Sequence, residues 1–136
     1  MRFQPIASRR LWRTPKVTAL RILFDKNVPV GARRFLSGHE VRTFVEMGLH
    51  PQLENGELLN AAEAAGFDMM VTSDQSIGFQ QNMVGRKLAL VVLGSNIWPI
   101  VREHGATIKD TVDAAKPGSY EFIEMPVPRK RRTNNR

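Results

Sequence analysis

The stretch Arg21–Pro29, with the sequence RILFDKNVP, constrains the fold more than any other part of the chain. Three apolar residues run directly into Asp25, and Pro29 follows four positions later. A short apolar run closed by turn residues predicts a buried strand, and a proline fits the first turn of a helix. The pattern therefore predicts a strand, a turn and a helix, with Asp25 at the carboxyl end of the strand.

Asp25 allows two interpretations at this point. In open α/β sheets, ligands bind in the crevice outside the carboxyl ends of the strands. A carboxylate buried there needs either a hydrogen-bonded partner or a cation. In the other interpretation, Asp25 caps the following helix by accepting bonds from backbone N–H groups. The stretch itself leaves both interpretations open.

The charge of the chain is divided between its ends and its middle. The net charge of the 136 residues is +7, but residues 1–21 carry six Lys/Arg and residues 126–136 carry five, with no acid in either segment. Residues 22–125 carry nine basic and thirteen acidic residues. Basic ends on an acidic middle favour contact with nucleic acid or an acidic partner, although they can also serve solubility alone. We therefore predict a flexible basic extension over residues 1–20, one folded domain over 21–125 and a disordered basic tail over 126–136.

The sequence lacks cysteine and long apolar runs, and both absences limit the possible functions. The chain has no cysteine, which excludes disulfides and thiolate metal sites and is compatible with a reducing cytoplasm. No apolar run approaches the roughly 18 residues that a membrane span needs. We expect a cytoplasmic protein without a membrane partner.

Strand and helix patterns alternate along the chain. Helical spacing is present from Val28 to Leu36, from Asn55 to Ala65, and from Trp98 to Ala115 with Gly105 as a break. Residues 76–86 are predicted to form a helix or a lid. Alternation of this kind predicts an α/β fold, a three-layer sandwich around a central, mainly parallel sheet. The predicted strands lie at 21–24, around 41–44, at 67–72, at 87–93 and, at an edge of the sheet, at 120–123.

Acidic residues gather around the predicted strand ends. Asp25 and Asp74 follow strands, Glu57 falls in the first turn of the second helix, and Asp68 and Glu54 are auxiliary candidates. Carboxylates that converge repel each other, so they need a shared proton or a metal ion. Oxygen ligands without cysteine or clustered histidine favour Mg²⁺ or Mn²⁺ over zinc. Such a cation would bind a phosphate oxygen and activate a water molecule for attack.

Four segments carry a resemblance to a known family: DKNVP, NGELL, FDMMVTSDQS and GRKLALVVL. Together they resemble PIN-like proteins, and more narrowly a small bacterial family related to the VapC-type toxin nucleases. The resemblance covers residues 21–124. It implies a PIN-like fold, a Mg²⁺- or Mn²⁺-dependent endoribonuclease with Asp25, Glu57 and Asp74 as metal ligands and catalytic residues, and a toxin neutralised by a small antitoxin. Homodimers are common among such toxins.

Two other hypotheses come from different functional classes. Lys26 and Ser76 stand where related sequences often have acids, which favours a catalytically degenerate PIN-like module that binds RNA or a protein. A receiver-like signalling domain would instead form an acyl phosphate at Asp25. If the protein is the nuclease or the degenerate RNA-binding module, five side chains are predicted to contact RNA: Lys26, Asn27, Arg42, Gln81 and Asn82.

Overall fold

A computed structural model describes residues 19–53, 55–76, 83 and 85–126 of the chain. The predicted extension up to residue 18, most of the predicted lid and the tail from residue 127 lie outside these residues. The boundaries of the extension and the tail therefore stay predictions. None of the helices in the described part is long and apolar enough to cross a membrane.

A five-stranded sheet forms the centre of the fold, and its strands run in the order β2-β1-β3-β4-β5. Every neighbouring pair is parallel, with Ile22 of β1 opposite both Val41 of β2 and Met69 of β3. The predicted α/β fold is confirmed, and the sheet is entirely rather than mainly parallel. The last strand lies at the edge, as predicted. The strands are β1 (Arg21–Phe24), β2 (Glu40–Thr43), β3 (Met69–Thr72), β4 (Ala89–Leu93) and β5 (Tyr120–Ile123).

The helices depart from the predictions after β1 and agree with them near Gly105. The segment after β1 is a 3₁₀ helix, and Pro29 precedes its first turn rather than lying within it. The helical region predicted from Trp98 to Ala115, with Gly105 as a break, is two helices, and the second of them begins at Gly105 after a turn at residues 103–104. Gly105 starts the second of them with its backbone against the ring of Phe35, where a β-carbon would overlap that ring. The helices are the 3₁₀ helix (Val30–Leu36), α1 (Asn55–Ala64), α2 (Trp98–Arg102) and α3 (Gly105–Ala114).

Helices cover both faces of the sheet because its strands are apolar on both sides. Ile22 and Phe24 belong to a buried cluster with residues of the 3₁₀ helix, α2 and α3. Leu23 points the other way, into a second cluster with Leu58 and Leu59 of α1. The alternation of side chains along β1 therefore separates the two layers of helices.

Candidate functional site

The carboxyl edge between β1 and β3 is the topological switch point of this sheet. From β1 the chain moves outward to β2, whereas from β3 it moves in the opposite direction through β4 to β5. The connections therefore diverge on either side of β1 and β3 and leave a crevice beyond their carboxyl ends. Asp25 follows β1 and Asp74 lies two residues beyond β3, so both predicted acids lie at this crevice.

Asp25 is a buried carboxylate with only 6% of its surface exposed. One carboxylate oxygen accepts a hydrogen bond from the backbone N–H of Lys26, at 2.7 Å, and the other accepts one from the hydroxyl of Thr72, also at 2.7 Å. No side chain caps the 3₁₀ helix, whose N-cap is Pro29. The interpretation of Asp25 as the cap of the following helix is therefore wrong.

The charge of Asp25 has no cationic side chain beside it in the part of the chain that the structure describes. The ammonium group of Lys26 donates to the carbonyl oxygen of Pro51, at 2.7 Å, and lies 5.2 Å from the centre of the Phe44 ring. Lys26 thus anchors the loop before α1 and does not neutralise its neighbour. Burying an ionised carboxylate that has only neutral hydrogen-bond donors costs free energy unless a counter-ion is also present.

Thr72 connects the two acids. Its hydroxyl, fully buried, donates to Asp25 and also accepts a bond of 3.1 Å from the backbone N–H of Asp74. The carboxylate of Asp74 accepts from both the N–H and the hydroxyl of Ser76. Ser76 therefore orients the Asp74 carboxylate. Thr72 was not singled out from the sequence. A signal was present, because a threonine side chain often accepts a hydrogen bond from the backbone N–H two residues further along the chain, and Asp74 is at that position.

Further hydrogen bonds fasten the loops at this edge to one another. The side-chain oxygen of Asn27 accepts from the N–H of Ser73, and its carbonyl accepts from the Ser73 hydroxyl. The Gln75 amide donates to the carbonyl of Gly94, just beyond β4. The structure thus gives Asn27 a role in joining two loops, while its predicted contact with RNA stays a prediction.

Glu57 lies in the first turn of α1 with an exposed side chain. Because α1 connects β2 to the start of the parallel strand β3, it begins at the carboxyl edge and packs on the face that Leu23 and Thr72 share. Glu57 is therefore at the same edge as Asp25 and Asp74. Within the described residues, however, no three His, Asp or Glu side chains form a group able to hold a metal ion.

The remaining predicted residues lie elsewhere. Asp68 precedes β3 and accepts a bond of 2.8 Å from the N–H of Arg21, so it lies at the amino edge, a strand length away from Asp25. Arg42 is exposed on β2 and pairs with Glu40 at 3.0 Å. The structure does not bring these residues to the crevice. Gln81, Asn82 and Glu54 lie outside the described residues.

The oxygen atoms at the crevice suit a hard divalent cation. Each oxygen of Asp25 has accepted one hydrogen bond and retains a further lone pair, and Asp74 adds a second carboxylate. Mg²⁺ is commonly bound through one or two carboxylates, with water and substrate phosphate as its other ligands. The residues present therefore fit Mg²⁺ or Mn²⁺ with a sparse protein ligand set, and they do not form a cage of three carboxylates.

Comparison of the chain with models of protein families, with curated proteins and with solved structures gives no match.

Proposed function

We propose that this protein is a metal-dependent endoribonuclease of the PIN-like type that acts as the toxin of a toxin–antitoxin pair. One observation carries the proposal. A buried carboxylate, Asp25, lies at the switch point of a parallel sheet and, among the described residues, has neutral hydrogen-bond donors and no cationic side chain beside it, while a second carboxylate follows the adjacent strand. Such an arrangement is stable and useful when a cation occupies the crevice.

Asp25 and Asp74 would hold the cation, and Glu57 would approach from the first turn of α1. When bound, Mg²⁺ or Mn²⁺ supplies charge neutralisation for a phosphodiester and a water molecule activated for attack. Thr72 fixes the orientation of Asp25 and the backbone at Asp74, while Ser76 fixes the Asp74 carboxylate. These bonds keep both carboxylates ready for binding without reorganisation during the reaction.

The test is cleavage of a mixed RNA pool by the purified protein with Mn²⁺, with Mg²⁺ and with EDTA. We expect cleavage that depends on the metal and disappears in Asp25→Asn and in Asp74→Asn. Asp110→Asn is the matched control, because it removes an exposed acid on α3, away from the crevice. The absence of cleavage by folded protein under every condition would contradict the proposal. Growth arrest on expression, relieved by a protein encoded beside it, would support the toxin–antitoxin part.

A second candidate is a catalytically degenerate PIN-like module that binds RNA or a protein. The absence of a group of three acids within the described residues favours this candidate. Titration with Mn²⁺ distinguishes the two functions, since the nuclease requires binding that weakens at least tenfold in Asp25→Asn. RNA binding without Mn²⁺ binding or cleavage would instead favour the degenerate module.

A further inference from the structure

An open groove of about 610 Å³ runs along the free edge of β2, beneath the 3₁₀ helix. It is separate from the crevice that holds Asp25 and Asp74. Three of the side chains that line it are arginines: Arg33 and Arg34 come from the 3₁₀ helix and Arg42 comes from β2. The groove is therefore rich in donors that suit anionic oxygen atoms.

Each arginine is held in place by a neighbour. Arg33 pairs with Glu46 at 3.0 Å, and Arg42 pairs with Glu40 at the same distance. The Arg34 guanidinium lies 5.4 Å from the centre of the Trp98 ring. A guanidinium has five N–H donors, so one ion pair or one aromatic contact leaves several free. Because these side chains are already ordered, less entropy is lost when they bind a ligand.

The backbone at this edge is partly closed to an added peptide strand. In β2 the N–H groups of Glu40 and Phe44 bond to β1, so those of the odd-numbered residues face outward. The outward N–H of Thr43 is already bonded to the Glu46 carboxylate at 2.9 Å. That bond and the Arg33 guanidinium lower the pKa of Glu46 below its ordinary value. One of the outward N–H groups of β2 is thus unavailable to an added strand, whereas the arginine side chains line the groove.

Charge and position both indicate the ligand. Residues 22–46 carry four basic and three acidic residues, whereas residues 47–125 carry five basic and ten acidic ones. The segment that carries the groove is therefore net +1 and residues 47–125 are net −5, so a polyanion is repelled less at the groove than by the rest of the folded chain. The two ends of the chain, which carry only basic charge, do not suit this groove.

The groove also opens beside the candidate catalytic crevice. The 3₁₀ helix starts at Val30, five residues after Asp25, and Thr43 at the end of β2 lies opposite Phe24. A strand of RNA that crosses the crevice can therefore continue along β2 without leaving the protein. We propose that single-stranded RNA binds in this groove through its phosphates, with Arg34 and Arg42 as the main contacts. This inference rests on the proposed function for the identity of the ligand.

The experiment measures fluorescence anisotropy of a short labelled single-stranded RNA in EDTA, where cleavage is absent, over a series of salt concentrations. For the full-length double variant Arg34→Gln/Arg42→Gln, we expect the affinity for the RNA to fall by about tenfold. The slope of the logarithm of the binding constant against the logarithm of the salt concentration is negative, and its magnitude should decrease by about 1.4. Each lost phosphate contact on a single strand accounts for about 0.7 of that slope. The double variant Arg102→Gln with Lys116→Gln removes the same charge from exposed positions elsewhere and should keep the slope.

Arg34→Lys with Arg42→Lys is the second variant, and it should keep the slope because it keeps the charge. Equal losses in the two glutamine variants, or an unchanged slope in the groove variant, would overturn the inference. Binding of an acidic peptide, or dimerisation, that depends on Arg34 and Arg42 while RNA binding does not would overturn it as well. Arginine-dependent RNA binding without any cleavage would leave this inference standing and contradict the proposed nuclease.

Discussion

The hydroxyl of Thr72 donates a hydrogen bond of 2.7 Å to the carboxylate of Asp25 and so joins the ends of two adjacent parallel strands. The same oxygen accepts from the N–H of Asp74. One buried hydroxyl therefore sets the position of both acids at the crevice. Its removal tests whether this network stabilises the fold and orders the site.

Thr72→Val should destabilise the protein, because it keeps the shape of the side chain but leaves one Asp25 oxygen and the Asp74 N–H without their partner. The expected loss in the free energy of unfolding is about 1–3 kcal/mol. Urea denaturation followed by circular dichroism measures this loss. RNA cleavage by the same variant should also fall, since Asp25 would no longer be held in place.

Thr72→Ser is the control for this change, because it restores the hydroxyl and removes only a methyl group. It should recover most of the stability and of any cleavage. If Thr72→Val and Thr72→Ser were equally destabilised, the effect would come from packing and not from the hydrogen bond.

Mn²⁺ should stabilise the wild-type protein against thermal unfolding, because a ligand that binds only the folded state shifts the folding equilibrium. At a free concentration about 100 times the Kd, the gain is about 2.7 kcal/mol. Asp25→Asn should lose most of this gain, whereas Asp110→Asn should retain it. Differential scanning fluorimetry over a range of Mn²⁺ concentrations makes the comparison. An equal gain in wild type and Asp25→Asn would place the bound cation elsewhere.

The arrangement of strands could be predicted because apolar runs ending in turn residues are a strong local signal. The same logic placed Asp25 and Asp74 at one edge, since carboxyl ends of parallel strands meet there. Asp68 was grouped with them although it precedes its strand. In a parallel sheet that position is the opposite edge, where it bonds to the N–H of Arg21.

The finer features depend on contacts that the sequence pattern does not contain. Over only two turns, the repeat of about 3.6 residues in an α-helix and that of about 3.0 residues in a 3₁₀ helix differ too little for the apolar spacing over Val28–Leu36 to separate them. Lys26 is predicted to contact RNA, and nothing in the sequence pattern indicates that its ammonium bonds to the carbonyl of Pro51, 25 residues further along the chain. Thr72 was interpreted only as a strand residue, because β-branched residues are common in strands.

The stability of the protein should depend on pH through Asp113 on α3. Its carboxylate accepts bonds from Lys109 at 2.7 Å and from the Nε2–H of His39 at 2.9 Å. The bond from Lys109, and after it the one from His39, lower the pKa of Asp113 below its ordinary value. Because the pKa of Asp113 is lower in the folded state, its ionised form stabilises the fold. This contribution is complete above the pKa of Asp113 in the unfolded chain, about 4, and it disappears as the pH falls through the pKa in the folded protein.

Asp113→Asn should therefore be less stable than wild type at pH 6 by about 1 kcal/mol, and the difference should shrink towards zero as the pH falls through the folded pKa of Asp113. Urea midpoints at several pH values between 2.5 and 7 measure this difference. Asp110→Asn is again the control. A difference between Asp113→Asn and wild type that stays constant over the whole range would mean that packing, not the charge of Asp113, is responsible.

Replacement of Gly118 should destabilise the protein, because the turn before β5 passes close to the backbone that precedes β4. The φ of Gly118, +78°, lies in the left-handed region, and a β-carbon there would be 2.5 Å from the carbonyl oxygen of Arg86. The N–H of Gly118 bonds to the Lys87 carbonyl, so the backbone is fixed and cannot easily move away. Gly118→Ala should cost about 1–2 kcal/mol from the left-handed conformation alone, and more because of the overlap.

Gly38→Ala is the matched control for Gly118→Ala. Gly38 has no positive φ, and no atom of the described residues lies within 4 Å of its added β-carbon, so the change should be neutral or stabilising by up to about 1 kcal/mol. Urea denaturation of both variants measures the contrast, and hydrogen exchange at the amides of β5 should be faster in Gly118→Ala only. Because β4 is the one strand that pairs with β5 within the described residues, a turn that cannot close would free the whole edge strand. Equal stability of the two variants would show that the backbone at Gly118 relaxes more readily than this geometry implies.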